Sequence, residues 1–238
     1  MNSTRKRVRD ASSAAPTEPH CIVCFGDSNT HGANAEAEGR LPYADRWTTH
    51  LQCILGPEYS IIPEGLNGRT TVHDDPIDAA FAGLGGQNMN GRRYLLPCLH
   101  SHKPVAILVL ALGCNDLKSR FNLNACEICL GLRLLIADAR QSCTGPDGEP
   151  PRIIVMSPPA CKGTPTSTEW GFASVASKSR ATIAVYRNEC AAQDLPFVDL
   201  SSVAEVGKDG IHFAPAAAAP IAEAVAKAVL ELMGDVKP

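Results

Sequence analysis

Four short motifs in this chain carry groups that could share one reaction. Gly26-Asp27-Ser28-Asn29 follows the apolar run Cys21-Ile22-Val23-Cys24-Phe25. A strand that ends on Gly and delivers a Ser into a turn displays a hydroxyl at a sheet mouth, beside first-turn N–H groups that favour negative charge. A serine hydroxyl is a weak nucleophile at neutral pH and needs a base to take its proton. His212, in Asp209-Gly210-Ile211-His212, can be that base. Asp209, three residues back across a Gly turn, can reach the ring nitrogen that faces away from Ser28 and so fix the tautomer. Attack on an ester carbonyl creates an oxyanion, which the backbone N–H groups of Ser28 and Gly68 and the side-chain amide of Asn115 would meet. One such donor is worth about 10²–10³ in turnover.

Each motif alone is commonplace: Gly-Asp-Ser and Asn67-Gly68 are ordinary turn signals, and Asp-x-x-His is more often a surface turn. Their occurrence together depends on the elements that present them. Apolar, β-rich runs at 20–25, 59–63, 105–112, 152–157 and 197–200 alternate with helical patterns at 43–55, 91–102, 124–142, 175–193 and 215–233. The run at 105–112 is apolar without alternation, as a central parallel strand covered on both faces requires. Pro215 and Gly234 punctuate the last helix. The alternation predicts βαβ units in a three-layer α/β/α sandwich around a five-stranded parallel sheet. In such sheets ligands bind beyond the carboxyl ends of the strands, which is where all four motifs fall.

Composition narrows the function classes. The chain has 238 residues, 45% hydrophobic and 20% charged, with a net charge of −3. Residues 1–19 hold four basic and two acidic residues, leaving a net of −5 on the rest. That balance argues against a nucleic-acid surface, and no apolar run reaches membrane-spanning length. The 1–19 tail reads as disordered and basic, without the apolar segment of a secretory signal. Ten Cys in a chain this long, with no secretory signal, read as reduced thiols in a cytoplasmic protein. Cys21 and Cys24 would face opposite sides of a strand. Cys126 and Cys129 could share a helix face, and core packing is the expected role. No pair of zinc-ligand spacings is present. His100 and His102 are read as favourably placed at a helix C-terminus rather than as metal ligands. No Gly-rich phosphate loop follows the first strand. Neither cofactor nor metal is expected.

With these motifs in order, the chain resembles the SGNH hydrolases, the GDSL-type esterases, over roughly residues 20–233. Gly65-Leu66-Asn67-Gly68-Arg69-Thr70-Thr71 with Asp74-Asp75-Pro76, the run Tyr94-Leu95-Leu96-Pro97-Cys98-Leu99, and Asp209-Gly210-Ile211-His212-Phe213 resemble the arylesterase and acyltransferase branch. Asn29 stands where the family's usual name has Leu, and His31 where the branch often has an aromatic. The resemblance implies a flavodoxin-like SGNH hydrolase domain over 20–238. It implies a Ser28, Asp209, His212 triad with Ser28, Gly68 and Asn115 as oxyanion donors. The implied activity is hydrolysis of short-chain or aryl esters of small molecules through an acyl-enzyme, with transfer to alcohols as an extension. O-deacetylation of carbohydrate or natural-product esters, and a non-catalytic binding module that kept the pocket, stay open.

The substrate pocket is expected from 29–34, from 73–76 and from the segment after the fourth strand. Its candidate residues are Asn29, His31, Asp75, Trp170, Phe172 and Ile211. Asp27 and Asp116 are read as scaffolding that accepts backbone N–H groups, and Arg69 as a clamp on Asp74 or Asp75. Residues 80–93 read as an insertion that could support a homo-oligomer.

Overall fold

A computed structural model describes residues 18–81 and 89–234. The expected tail at 1–19 therefore falls almost wholly outside the described residues, and so does the middle of the 80–93 insertion. Five strands form one parallel sheet in the order β2-β1-β3-β4-β5: β1 (His20–Gly26), β2 (Tyr59–Gly65), β3 (Val105–Ala111), β4 (Arg152–Met156) and β5 (Phe197–Val198). This is the α/β sandwich that the alternation predicts. Its order reverses between β1 and β3, the switch point where crevices form in doubly wound sheets. Pro63 lies in β2, where an edge position tolerates a missing N–H.

The two-residue period sorts the strand side chains between two cores. Val23, Phe25, Leu108, Leu110, Ile153 and Val155 face α4 (Gly91–His102), α5 (Ala125–Arg140) and α7 (Val175–Ala192). Ile22, Cys24, Ile107, Val109, Ile154 and Met156 face α2 (Trp47–Leu55) and α8 (Ala218–Met233). A buried Leu or Ile contributes about 1.5–3 kcal/mol relative to exposure. These two layers therefore give the site a stiff platform. Cys21 and Cys24 fall on opposite faces. All ten cysteines are free thiols. Cys129 is core, but Cys126 is exposed, which corrects the shared core-packing role: one turn of α5 is wider than the buried stripe.

Local chemistry sets the helix ends. Asn124 and Glu127 close a capping box on α5, and Gly234 adopts a left-handed conformation after α8. Periodicity over-runs some elements. The 43–55 pattern divides into a 3₁₀ turn (Tyr43–Asp45) and α2, because Arg46 is extended between them. The 197–200 strand stops at Val198, where Asp199 caps a 3₁₀ turn by accepting from Ser201 N–H. Three short helices escape the pattern: α1 (Ser28–His31), α3 (Pro76–Phe81) and α6 (Pro165–Glu169).

Candidate active site

β1 ends at Gly26, level with Gly65 of β2 and Ala111 of β3. The next residue, Asp27, caps α1 by accepting from the Asn29 N–H at 2.9 Å. The Asp27 carboxyl is buried, and burial pushes it up to about 6, against the pull of that N–H and of His212. α1 rests directly on the end of β2: a Cβ at Gly65 would stand 2.1 Å from the His31 nitrogen. Only glycine permits this approach, and it fixes the turn that carries Ser28.

Across the sheet edge, the loop after β5 carries Asp209 and His212. His212 Nε2 lies 2.8 Å from Ser28 Oγ, and His212 Nδ1 lies 2.7 Å from Asp209 Oδ2. The other carboxylate oxygen, Oδ1, accepts from the Ile211 and His212 N–H groups, both at 2.8 Å. Burial alone would raise the Asp209 pKa, but the His212 hydrogen bond and charge and the two N–H groups hold it below the usual carboxylate range. An ionised Asp209 makes Nδ1 the protonated nitrogen and leaves the Nε2 lone pair for Ser28. Gly210 has φ +78°, and a Cβ there would meet the Lys162 carbonyl at 2.3 Å. The Asn29 side-chain oxygen accepts from the Phe213 N–H at 2.9 Å, tying the loop to the turn beside Ser28.

Gly68 and Asn115 border the same cavity as Ser28 and His212, so four sequence-selected residues meet there, with Asp209 bonded behind His212. Asn115 Nδ2 donates to the Arg69 carbonyl at 3.1 Å, which occupies one of its two amide hydrogens. The neighbouring Asp116 is buried and accepts from Thr71 N–H at 3.0 and 3.1 Å and from Thr71 Oγ1 at 2.5 Å. It thereby pins the loop after β2 to the loop after β3. Burial raises its pKa despite these donors. Arg69 does not clamp Asp74 or Asp75. Its guanidinium lies over the Phe25 and Tyr94 rings and donates to the Gly26 and Glu64 carbonyls, because it runs inward under the sheet edge. Asp74 instead pairs with Arg93, and Asp75 with Arg120.

The cavity measures about 570 Å³. Trp170, Phe172 and Ile211 line it, together with Ile77 and the charged groups of Asp78, Lys118 and Arg120. The Trp170 ring lies 5.8 Å from the His212 ring, tilted by 59°. Asn29, His31 and Asp75 are not among the lining residues. Asn29 faces the Phe213 main chain, and His31 lies against Gly65, where burial and the charge of Arg40 lower its pKa. Asp75 is fully buried behind the wall, accepting from Arg120 at 2.8 Å with Lys118 Nζ at 3.8 Å; Lys118 also pairs with Asp78. Sequence reading missed this charged wall because its partners lie 40 or more residues apart. A second groove of about 440 Å³ adjoins the first on the other side of Trp170 and His212, bordered by Asn34, Glu36, Glu38, Thr166 and Lys208.

No helix among the described residues is long and apolar enough to cross a membrane. Residues 24–219 match the GDSL-like Lipase/Acylhydrolase family. A carbohydrate acetylesterase family member from Sinorhizobium meliloti superposes with a TM-score of 0.82 at 32% identity, covering 90% of this chain and 99% of its own. The aryl esterase of M. smegmatis does so with a TM-score of 0.81, also at 32% identity and with the same coverages. The lipase/acylhydrolase from Enterococcus faecalis shares the fold, with a TM-score of 0.60 at 19% identity over 92% of this chain and 98% of its own. No curated protein matches the chain at a significant level.

Proposed function

The chain belongs to the GDSL-like lipase/acylhydrolase family and is a carboxylic ester hydrolase; from that premise we propose that Ser28, His212 and Asp209 carry out the reaction on esters of small acyl groups. The observation that carries this reading is the unbroken relay at the sheet edge, 2.8 Å from Ser28 Oγ to His212 Nε2 and 2.7 Å from His212 Nδ1 to Asp209. Ser28 Oγ attacks the ester carbonyl as His212 takes its proton at Nε2, and Asp209 stabilises the imidazolium. The Ser28 and Gly68 N–H groups and the Asn115 amide receive the oxyanion. Collapse expels the alkoxide, which His212 protonates, and leaves Ser28 acylated. Water then repeats the sequence and frees the acid.

The acyl side is read from the larger cavity, whose wall of Trp170, Phe172, Ile77 and Ile211 is apolar but which also carries the charges of Lys118, Asp78 and Arg120. A long alkyl chain would have to desolvate those charges, so acetyl and other short acyl groups fit best. The aryl esterase relative supports an aryl alcohol as leaving group. A second reading, O-deacetylation of a hydroxylated alcohol such as a sugar, is favoured by the groove beside His212, which Asn34, Glu36, Glu38, Thr166 and Lys208 border with hydrogen-bonding groups. An alcohol bound in that groove in place of water would make the enzyme an acyltransferase. The test is a panel of p-nitrophenyl esters of increasing chain length against per-O-acetylated sugars, with kcat/KM as readout. A steep fall beyond short acyl chains is expected. Equal rates on acetyl and long-chain esters would contradict the proposal, and acetylated sugars outrunning aryl acetates would select the second reading.

A further inference from the structure

Away from the catalytic cavity, one face of α4 meets the edge strand β2 with chemistry that ester hydrolysis does not use. Tyr94, Cys98 and His102 follow one another at four-residue intervals on α4 and so lie along one stripe. All three converge on Glu64 of β2. His102 Nε2 lies 2.9 Å from Glu64 Oε1, and burial together with the nearby Glu64 charge pushes the Tyr94 hydroxyl and the Cys98 thiol up. One donor atom from each of Glu64, Cys98 and His102 lies within 4.8 Å of the other two.

We propose that Glu64, Cys98 and His102 form a binding site for a borderline-soft divalent metal ion, of which zinc is the type. The donor set is a thiolate, an imidazole and a carboxylate, the ligands that such an ion selects. A tetrahedral ion at about 2.0–2.3 Å from each donor spreads the donors to roughly 3.3–3.7 Å apart. The three donors already lie within 4.8 Å of one another, so they have little distance to close to reach that spacing. Charge fits as well: the thiolate and the carboxylate together neutralise a divalent ion, and the thiol proton passes to solvent on binding. Arg69, the nearby fixed cation, directs its guanidinium to the main-chain carbonyl of Glu64 rather than to the carboxylate. The entrance is open, because the His102 and Glu64 side chains are 26% and 20% exposed whereas Cys98 is buried. A fourth position remains for water or for the Tyr94 oxygen. Sequence spacing hid the site, since Glu64 lies 38 residues from His102.

Filling the site would clamp α4 to β2, the strand that runs out into the loop of Gly68. Cobalt(II) titration of the full chain, with zinc competition, is the test, because cobalt bound to thiolate gives a near-ultraviolet charge-transfer band that cobalt in water lacks. The expected result is one cobalt per chain with that band, displaced by zinc and abolished by Cys98→Ser. His102→Ala and Glu64→Gln, changes at half-buried positions that spare the core thiol, should each weaken binding at least about tenfold. Circular dichroism of each variant checks folding. A wild-type chain without the band overturns the proposal. So does a band that survives Cys98→Ser, which would belong to the exposed Cys53, Cys126 or Cys143, or an affinity that His102→Ala and Glu64→Gln leave unchanged.

Discussion

Replacing Asp209 by Asn isolates the electrostatic heart of the proposed relay. The two side chains are nearly isosteric, and the environment dictates how Asn would sit. One carboxylate oxygen accepts two backbone N–H bonds, from Ile211 and His212 at 2.8 Å each. An amide NH₂ cannot replace that acceptor without leaving two buried donors unpaired, at about 1–3 kcal/mol each. The Asn oxygen therefore takes the Oδ1 position, and its NH₂ faces His212 Nδ1, 2.7 Å from the present Oδ2. A donor facing Nδ1 forces that nitrogen to be the unprotonated one, which puts the ring proton on Nε2, toward Ser28. The hydroxyl then has no base. Loss of the orienting carboxylate in such triads lowers turnover about 10⁴-fold, equivalent to about 5 kcal/mol of barrier. The fold should survive, since the backbone bonds are kept. The assay is steady-state hydrolysis of p-nitrophenyl acetate, with thermal unfolding as control. The expected result is kcat down about 10⁴ with KM changed little. A folded Asp209→Asn variant within tenfold of wild type would refute the tautomer argument.

Three further outcomes follow from the same geometry. Asn115→Ala should lower kcat about 10²–10³-fold on the same ester with KM nearly constant, because the oxyanion exists only after attack; an unchanged kcat would remove Asn115 from that role. Gly210→Ala should lower both activity and the unfolding midpoint, since its φ of +78° and the Lys162 carbonyl at 2.3 Å leave no room for a methyl group; wild-type values for both would contradict it. Asp27 has a folded pKa of about 6 against the ordinary 3.8 of an aspartate, raised chiefly by burial. Between those values the native state binds the extra proton, so this residue's contribution to stability falls as pH rises from about 4 to above 6, by roughly 3 kcal/mol. Asp27→Asn, which can still accept from the Asn29 N–H, should remove that slope in urea midpoints measured across the range. Parallel pH profiles for the two proteins would be inconsistent with a buried carboxyl of this kind.

Much of this molecule could be read from local chemistry. The strand runs, the parallel sheet and the main helices are visible because hydrophobic periodicity is a property of neighbouring residues. Ser28, Asn115, Asp209 and His212 stand out for a related reason: strand exits are marked by Gly, and reactive residue types close to Gly at several strand ends form a pattern. What stayed hidden depends on long-range pairing. Arg69 could have clamped Asp74 or Asp75 nearby in sequence, but it turns inward over Phe25 instead. The wall of Asp75, Asp78, Lys118 and Arg120 joins segments whose meeting no local pattern encodes. Asn29 and His31 sit close to Ser28 in sequence, yet one-turn α1 rotates their side chains away from the cavity that Ser28 faces. Short helices such as α3 and α6 offer too few turns for a period to show.

The central claim is that Ser28 is the nucleophile, and covalent trapping tests it most directly. A fluorophosphonate should modify the protein once, and peptide mass spectrometry should place the adduct on Ser28, with loss of esterase activity in proportion to labelling. A folded protein that stays unlabelled, or one that carries the adduct on another residue, would contradict the account.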